Sequence, residues 1–161
     1  MGVGDGNGWV VCRCGHRHWG VFGAAGLLLA RRSPDGGGVE VLLQLRATWT
    51  HLGGTWGIPG GATDSHEDPR TGALREAMEE TGVHPDAVEV LGLVTSADHG
   101  DWAYRVVLGR PSAPVRPHPA NDESEALRWV AVPDVDGLVL HPGFAHSWQA
   151  LRAELDAVLP V

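Results

Sequence analysis

The stretch GGATDSHEDPRTGALREAMEETGV, Gly60 to Val83, decides how this chain is read. Asp68 is a natural N-cap, and Pro69 fits the first helical position, where a missing N–H costs nothing. Gly82 can take the left-handed conformation just past a helix end. These signals predict a helix over 69–81. Gly72 sits inside it at a cost of roughly 1 kcal/mol relative to Ala, which points to close packing against another backbone. Glu79 and Glu80 lie three and four residues after Glu76, one turn along the same face. Like charges at that spacing repel. Three converging carboxylates offer an all-oxygen site to a hard divalent cation, Mg2+ above all, which keeps waters and shares its shell with substrate phosphates. Glu67 can join them or pair with Arg75, and Arg75 can orient Glu79. A solvated helix face is the bland alternative, and EAMEE alone would favour it.

The flanking sequence supplies strands. GAAGLLLARR reads as a buried strand, SPDGGG as a turn, and VEVLLQLRA as a second strand antiparallel to the first. TWTHLGGTWGIPGG reads as a loop. After the helix, VEVLGLVTSA and WAYRVVLGR are strands joined by the polar loop DHGD. Pro111, Pro114, Pro117 and Pro119 bar the segment 111–126 from the core. LRWVAV is a short strand, and GFAHSWQALRAELDAVL has the apolar spacing of a C-terminal helix. Strands and helices alternate irregularly, so the fold class is α/β with a mixed sheet between helices. The expected organisation is a short irregular segment, 1–19, and a single domain, 20–161.

Composition limits the functions available. The 161 residues suit one domain, with 43% hydrophobic and 20% charged content. A net charge of −8 argues against a general nucleic-acid surface. It leaves small phosphate substrates open, since a bound metal reverses the local sign. No apolar run approaches the roughly 20 residues that span a bilayer. No secretory signal is seen at the N-terminus, so a cytoplasmic location is expected. Cys12 and Cys14 are the only cysteines, and they sit too close together to staple a fold.

The helix stretch also has fixed spacing. It reads Gly61, five residues, Glu67, seven residues, Arg75-Glu76, two residues, Glu79-Glu80, one residue, Gly82 and an aliphatic residue. This pattern resembles the signature of the Nudix hydrolases, with every fixed position present. WGIPGG, Trp56 to Gly61, looks like the approach to the Nudix helix in MutT-like members, and the resemblance covers about residues 20–155. Ala77 and Gly72 depart from the commoner residues in packing only. The resemblance implies the Nudix α/β/α sandwich. It implies hydrolysis of a nucleoside diphosphate linked to another group, with Mg2+ (or Mn2+) as cofactor. Glu76, Glu79, Glu80, Glu67 and Gly61 would hold the metal. Glu79, Glu80, Arg75 and a base would serve the reaction. The base is a box glutamate or a later loop acid, where Glu123 is preferred over Glu125, Asp98 and Asp101. Gly60, Trp56, Arg46 and Trp102 would meet the substrate.

The markers of the ADP-ribose, dinucleoside polyphosphate, coenzyme A and NADH types are absent or out of place; Tyr104 lies too far along for the dinucleotide type. A nucleoside triphosphate, cleaved to monophosphate and pyrophosphate, is favoured, with an oxidised purine nucleotide among the candidates. Nucleotide sugars stay open, as do a homodimer and a non-catalytic nucleotide-binding module.

Seven tryptophans are many for this length. Trp49, Trp56 and Trp102 are candidates to stack on a base, although core packing is the ordinary fate of a Trp. CRCGHRHW offers Cys12, Cys14, His16 and His18, four zinc-type donors spaced by two. On one strand they would line a face rather than wrap a tetrahedral ion, so the spacing speaks against zinc. His51, His99 and His141 have no metal-like spacing.

Overall fold

A computed structural model describes residues 4–159. Strand β3 (Ala24–Arg32) is the spine of a seven-stranded mixed sheet. It pairs in parallel with β8 (Ala103–Pro111) from Ala24↔Tyr104 to Leu29↔Gly109, and its far end pairs antiparallel with β4 (Val39–Arg46). β7 (Val88–Asp98) extends the sheet beyond β8, and β9 (Ser124–Ala131) lies along β4.

Burial on both faces explains why β3 reads as an unbroken apolar run. Ala25, Leu27 and Leu29 join Leu42 and Val107 under helix α1 (Pro69–Thr81), which meets them through Ala73 and Ala77. Leu28 and Ala30 join Val41, Leu43 and Val106 under helix α2 (Pro142–Val158), which supplies Phe144, Trp148, Leu151 and Leu155. The result is the expected α/β/α sandwich. Among the described residues no helix is long and apolar enough to cross a membrane.

The punctuation of α1 is as expected. The Asp68 carboxylate accepts from the Thr71 amide at 2.7 Å, and Gly82 closes the helix at φ 73°. α2 starts one residue early, with Pro142 in its first turn and the His141 ring accepting from the Gly143 amide at 3.1 Å.

Four details differ from the sequence reading. The loop before α1 contains two short strands, β5 (Trp56–Gly57) on β4 and β6 (Gly60–Ala62) on β3. β9 begins at Ser124 rather than 127, because the buried Ser124 hydroxyl accepts from Gln44 at 2.5 Å and donates to the Glu80 carbonyl. The segment 1–19 is not irregular throughout. Trp9–Val11 (β1) and Arg17–Trp19 (β2) form a small antiparallel hairpin, and Cys12 is bonded to Cys14 in its turn. Where another backbone was expected nearest to Gly72, a Cβ there would first meet the Thr63 side chain at 3.3 Å and the Glu67 carboxylate at 3.5 Å.

Candidate active site

The carboxylate helix is organised by Arg75. Its Nε and Nη2 reach the two oxygens of Glu67 at 2.7 and 2.9 Å, a forked pairing. Nη1 donates to Glu76 at 3.0 Å and to Glu79 at 3.3 Å, and Nη2 also reaches the Ala62 carbonyl at 3.0 Å. One cation therefore gathers three of the box carboxylates and ties α1 to β6. The Glu67 side chain is only 3% exposed. The Arg75 hydrogen bonds hold its carboxyl below the usual range, while the same bonds raise the Arg75 pKa.

Glu80 is turned the other way. It is buried, and its carboxylate accepts from the Gly60 amide at 2.8 Å. Burial pushes its pKa well above the ordinary value, and the charges of Glu76 and Glu123 add to this. Glu76 is pushed up to about 7, again by burial first, with Glu79 and Glu123 adding and Arg75 opposing. These carboxylates are crowded and short of positive charge, which is what a divalent cation would supply. Gly61 fits the same reading, because a Cβ there would stand 2.6–2.7 Å from the Glu76 carboxyl atoms. The strand pairing Ala25↔Gly61 and Gly26↔Gly60 sets both glycines against the helix. A donor set of oxygens around an opening that glycine keeps clear fits Mg2+.

Sequence-predicted residues divide into two groups. Glu67, Arg75, Glu76, Glu79, Glu80, Gly60 and Gly61 come together as described. Glu123 is exposed at the end of the loop before β9, close enough for its charge to act on Glu76 and Glu80. Arg46 donates to the His51 carbonyl at 3.0 Å, and its charge is felt by Tyr104. The other loop acids are spent elsewhere. Asp98 accepts from the Gly100 amide at 2.8 Å, and Asp101 accepts from the Arg13 amide through both oxygens at 3.2 and 3.1 Å. Trp102 is half-buried against the N-terminal hairpin. Its indole N–H donates to the Gly20 carbonyl at 3.1 Å, and the His18 ring stacks on it at 4.0 Å. Trp56 packs on the α2 core with the Arg128 guanidinium 5.4 Å from its ring.

Two residues of the site escaped the sequence reading. Tyr104 brings its hydroxyl to the place where a Cβ on Gly26 or Gly60 would stand, and burial together with Glu80 and Glu76 raises its pKa. Gln44, buried on β4, links Ser124 and so braces the Glu80 backbone. Its place in an ordinary strand pattern gave no signal; a buried amide needs a partner, and that partner is 80 residues away.

The family model for the Nudix domain matches residues 21–153. A Mycobacterium tuberculosis protein, provisionally named 8-oxo-dGTP diphosphatase 3, is 51% identical over 154 residues, covering 92% of this chain and 70% of that protein. A Bifidobacterium longum nucleoside triphosphate pyrophosphatase/Nudix hydrolase fusion protein is 47% identical over 94% of this chain but only 32% of its own length. The crystal structure of RenU, a Nudix hydrolase from M. smegmatis, superposes with a TM-score of 0.87 at 46% identity, covering 97% of this chain and 98% of that one. Matched in sequence and in fold over most of its length, the chain belongs to the Nudix family and is a hydrolase of phosphoanhydride bonds.

Proposed function

We propose that this Nudix hydrolase cleaves a nucleoside triphosphate, an oxidised purine deoxynucleotide among its candidates, to the monophosphate and pyrophosphate. The observation that carries the reaction is that Arg75 holds Glu76 and Glu79 together, with Glu76 against Gly61, while Glu80 lies on the Gly60 amide. The triphosphate rests on the similarity to the M. tuberculosis protein. The carboxylates would hold Mg2+, which neutralises the phosphate oxygens, polarises phosphorus and acidifies a bound water. Arg75 holds Glu76 and Glu79 in position. Glu123 takes the proton of the attacking water as its oxygen bonds to phosphorus and the bridging P–O bond breaks, leaving pyrophosphate as the other product.

The test is a hydrolysis screen with Mg2+ over common and oxidised nucleoside triphosphates, ADP-ribose, nucleotide sugars, dinucleoside polyphosphates and coenzyme A. Monophosphate and pyrophosphate are detected separately. Pyrophosphate from a triphosphate is expected. Turnover of a sugar or dinucleotide with silence on triphosphates would keep the chemistry and overturn the substrate.

Trp49 is the aromatic assigned here to the base. It is 68% exposed, and its indole N–H donates to the Asp122 carbonyl at 3.1 Å, one residue before Glu123. Base stacking contributes about 1–3 kcal/mol. Trp49→Ala is therefore expected to raise KM by roughly 5- to 160-fold with little change in kcat. An unchanged KM would remove Trp49 from the substrate site.

A further inference from the structure

The turn of the N-terminal hairpin carries a second set of metal donors. Cys12, Cys14 and His16 do not lie along one strand face, as an alternating segment would. The Cys12 amide donates to the His16 carbonyl and the Gly15 amide to the Cys12 carbonyl, each at 2.9 Å, with Gly15 at φ 88°. This curl turns the three side chains toward one point. A fourth donor arrives from the β7–β8 turn, 85 residues along the chain: His99 Nδ1 stands 3.2 Å from Cys14 Sγ, and so does His16 Nδ1. One donor atom from each of Cys12, Cys14, His16 and His99 lies within 4.8 Å of every other. A tetrahedral zinc with ordinary Zn–S and Zn–N bonds spaces its ligands roughly 3.3–3.8 Å apart.

The frame around these donors is held without them. Asp101 accepts from the Arg13 amide, Trp102 donates to the Gly20 carbonyl, and the His99 amide donates to the Trp102 carbonyl at 2.8 Å. His18, the donor that spacing alone suggested, is directed instead onto Trp102, with its ring 4.4 Å from that of His99. It forms a wall of the cluster rather than a ligand.

The Cys12–Cys14 bond spans a single intervening residue, so as a crosslink it constrains little chain. It also leaves unexplained why two imidazole nitrogens converge on the Cys14 sulfur. A metal accounts for all four side chains. We propose that, in the dithiol state, Cys12, Cys14, His16 and His99 bind one Zn2+ and so pin the N-terminal hairpin to the β7–β8 turn. The site shares no residue with the carboxylate helix. A thiol-class reductant supplies two electrons and two protons to open the Cys12–Cys14 bond and is itself oxidised to a disulfide. The two cysteine protons leave when the thiolates take the metal.

The test uses full-length protein reduced with a dithiol and dialysed against micromolar zinc with excess Mg2+, which occupies the carboxylates. Zinc is measured by mass spectrometry alongside free thiols. One zinc per chain is expected in the wild type and in Glu80→Gln. None is expected in Cys14→Ser or His99→Ala at unchanged far-UV circular dichroism. Cobalt in place of zinc should give the wild type a thiolate-to-cobalt charge-transfer band, a readout that depends on no variant folding. Reduced wild type with two free thiols and no zinc would overturn the proposal, as would zinc retained by a folded His99→Ala.

Discussion

Glu79→Gln and Glu80→Gln are each expected to lower kcat by at least about a hundredfold while leaving the fold intact, since a bound metal contributes several kcal/mol to such a reaction. The two variants should differ in stability. Glu79 keeps 26% of its side chain exposed, so its loss costs the fold little beyond its 3.3 Å contact with Arg75. Glu80 is buried, crowded by Glu76 and Glu123, and accepts from the Gly60 amide. Glutamine keeps an oxygen for that amide and removes a charge from a crowded place. Glu80→Gln without divalent cations is therefore expected to melt no lower than the wild type. With Mg2+ the order should reverse, because ligand binding raises the melting temperature of the chain that holds it more tightly. Calorimetry with and without Mg2+, beside single-turnover kinetics, checks both halves. Full turnover in both variants would remove the helix carboxylates from the reaction.

What was legible in the sequence was mostly local. Asp68, Pro69 and Gly82 each solve a problem of the nearest helix turn, so the bounds of α1 could be read residue by residue. The apolar runs of β3 and β4 and their shared turn are local in the same sense. Helical spacing brought Glu76, Glu79 and Glu80 to neighbouring turns, and the Nudix-like spacing of the whole stretch gave them a role. What stayed hidden depends on partners far along the chain. His99 lies 85 residues from Cys14, Gln44 80 from Ser124, and Trp102 82 from Gly20. Spacing rules see ligands that follow one another in sequence, and they miss a site assembled from a hairpin turn and a loop. The same blindness made Asp101 look available as a base and Trp102 as a substrate contact. Exposed-looking loop residues near a proposed pocket are equally able to dock a terminal segment, and here the N-terminal hairpin takes both.

Arg75→Ala should have the largest effect on stability of any change in the box. Arg75 forks onto Glu67 and touches Glu76 and Glu79, and Glu67 is almost fully buried beneath it. Removing the cation leaves that carboxylate with only the Asp64 amide, which donates to it at 2.9 Å, and breaking a buried pair from one side costs about 3–5 kcal/mol. Arg75 retains 25% exposure, so the low end applies. In a chain of this length that corresponds to a melting temperature lower by roughly 6–12 °C. Arg75→Lys should fall between, because it restores the charge but not the fork. Mg2+ should recover more stability in Arg75→Ala than in the wild type, since the metal then replaces the guanidinium that faces Glu76 and Glu79. Activity should still fall, because carboxylates freed from the guanidinium no longer present their oxygens in one arrangement. Thermal melts over an Mg2+ titration, for wild type and both variants, separate these effects. Melting of Arg75→Ala at the wild-type temperature without Mg2+ would mean that Glu67 finds another partner. Arg75 would then be dispensable as the organiser of the box.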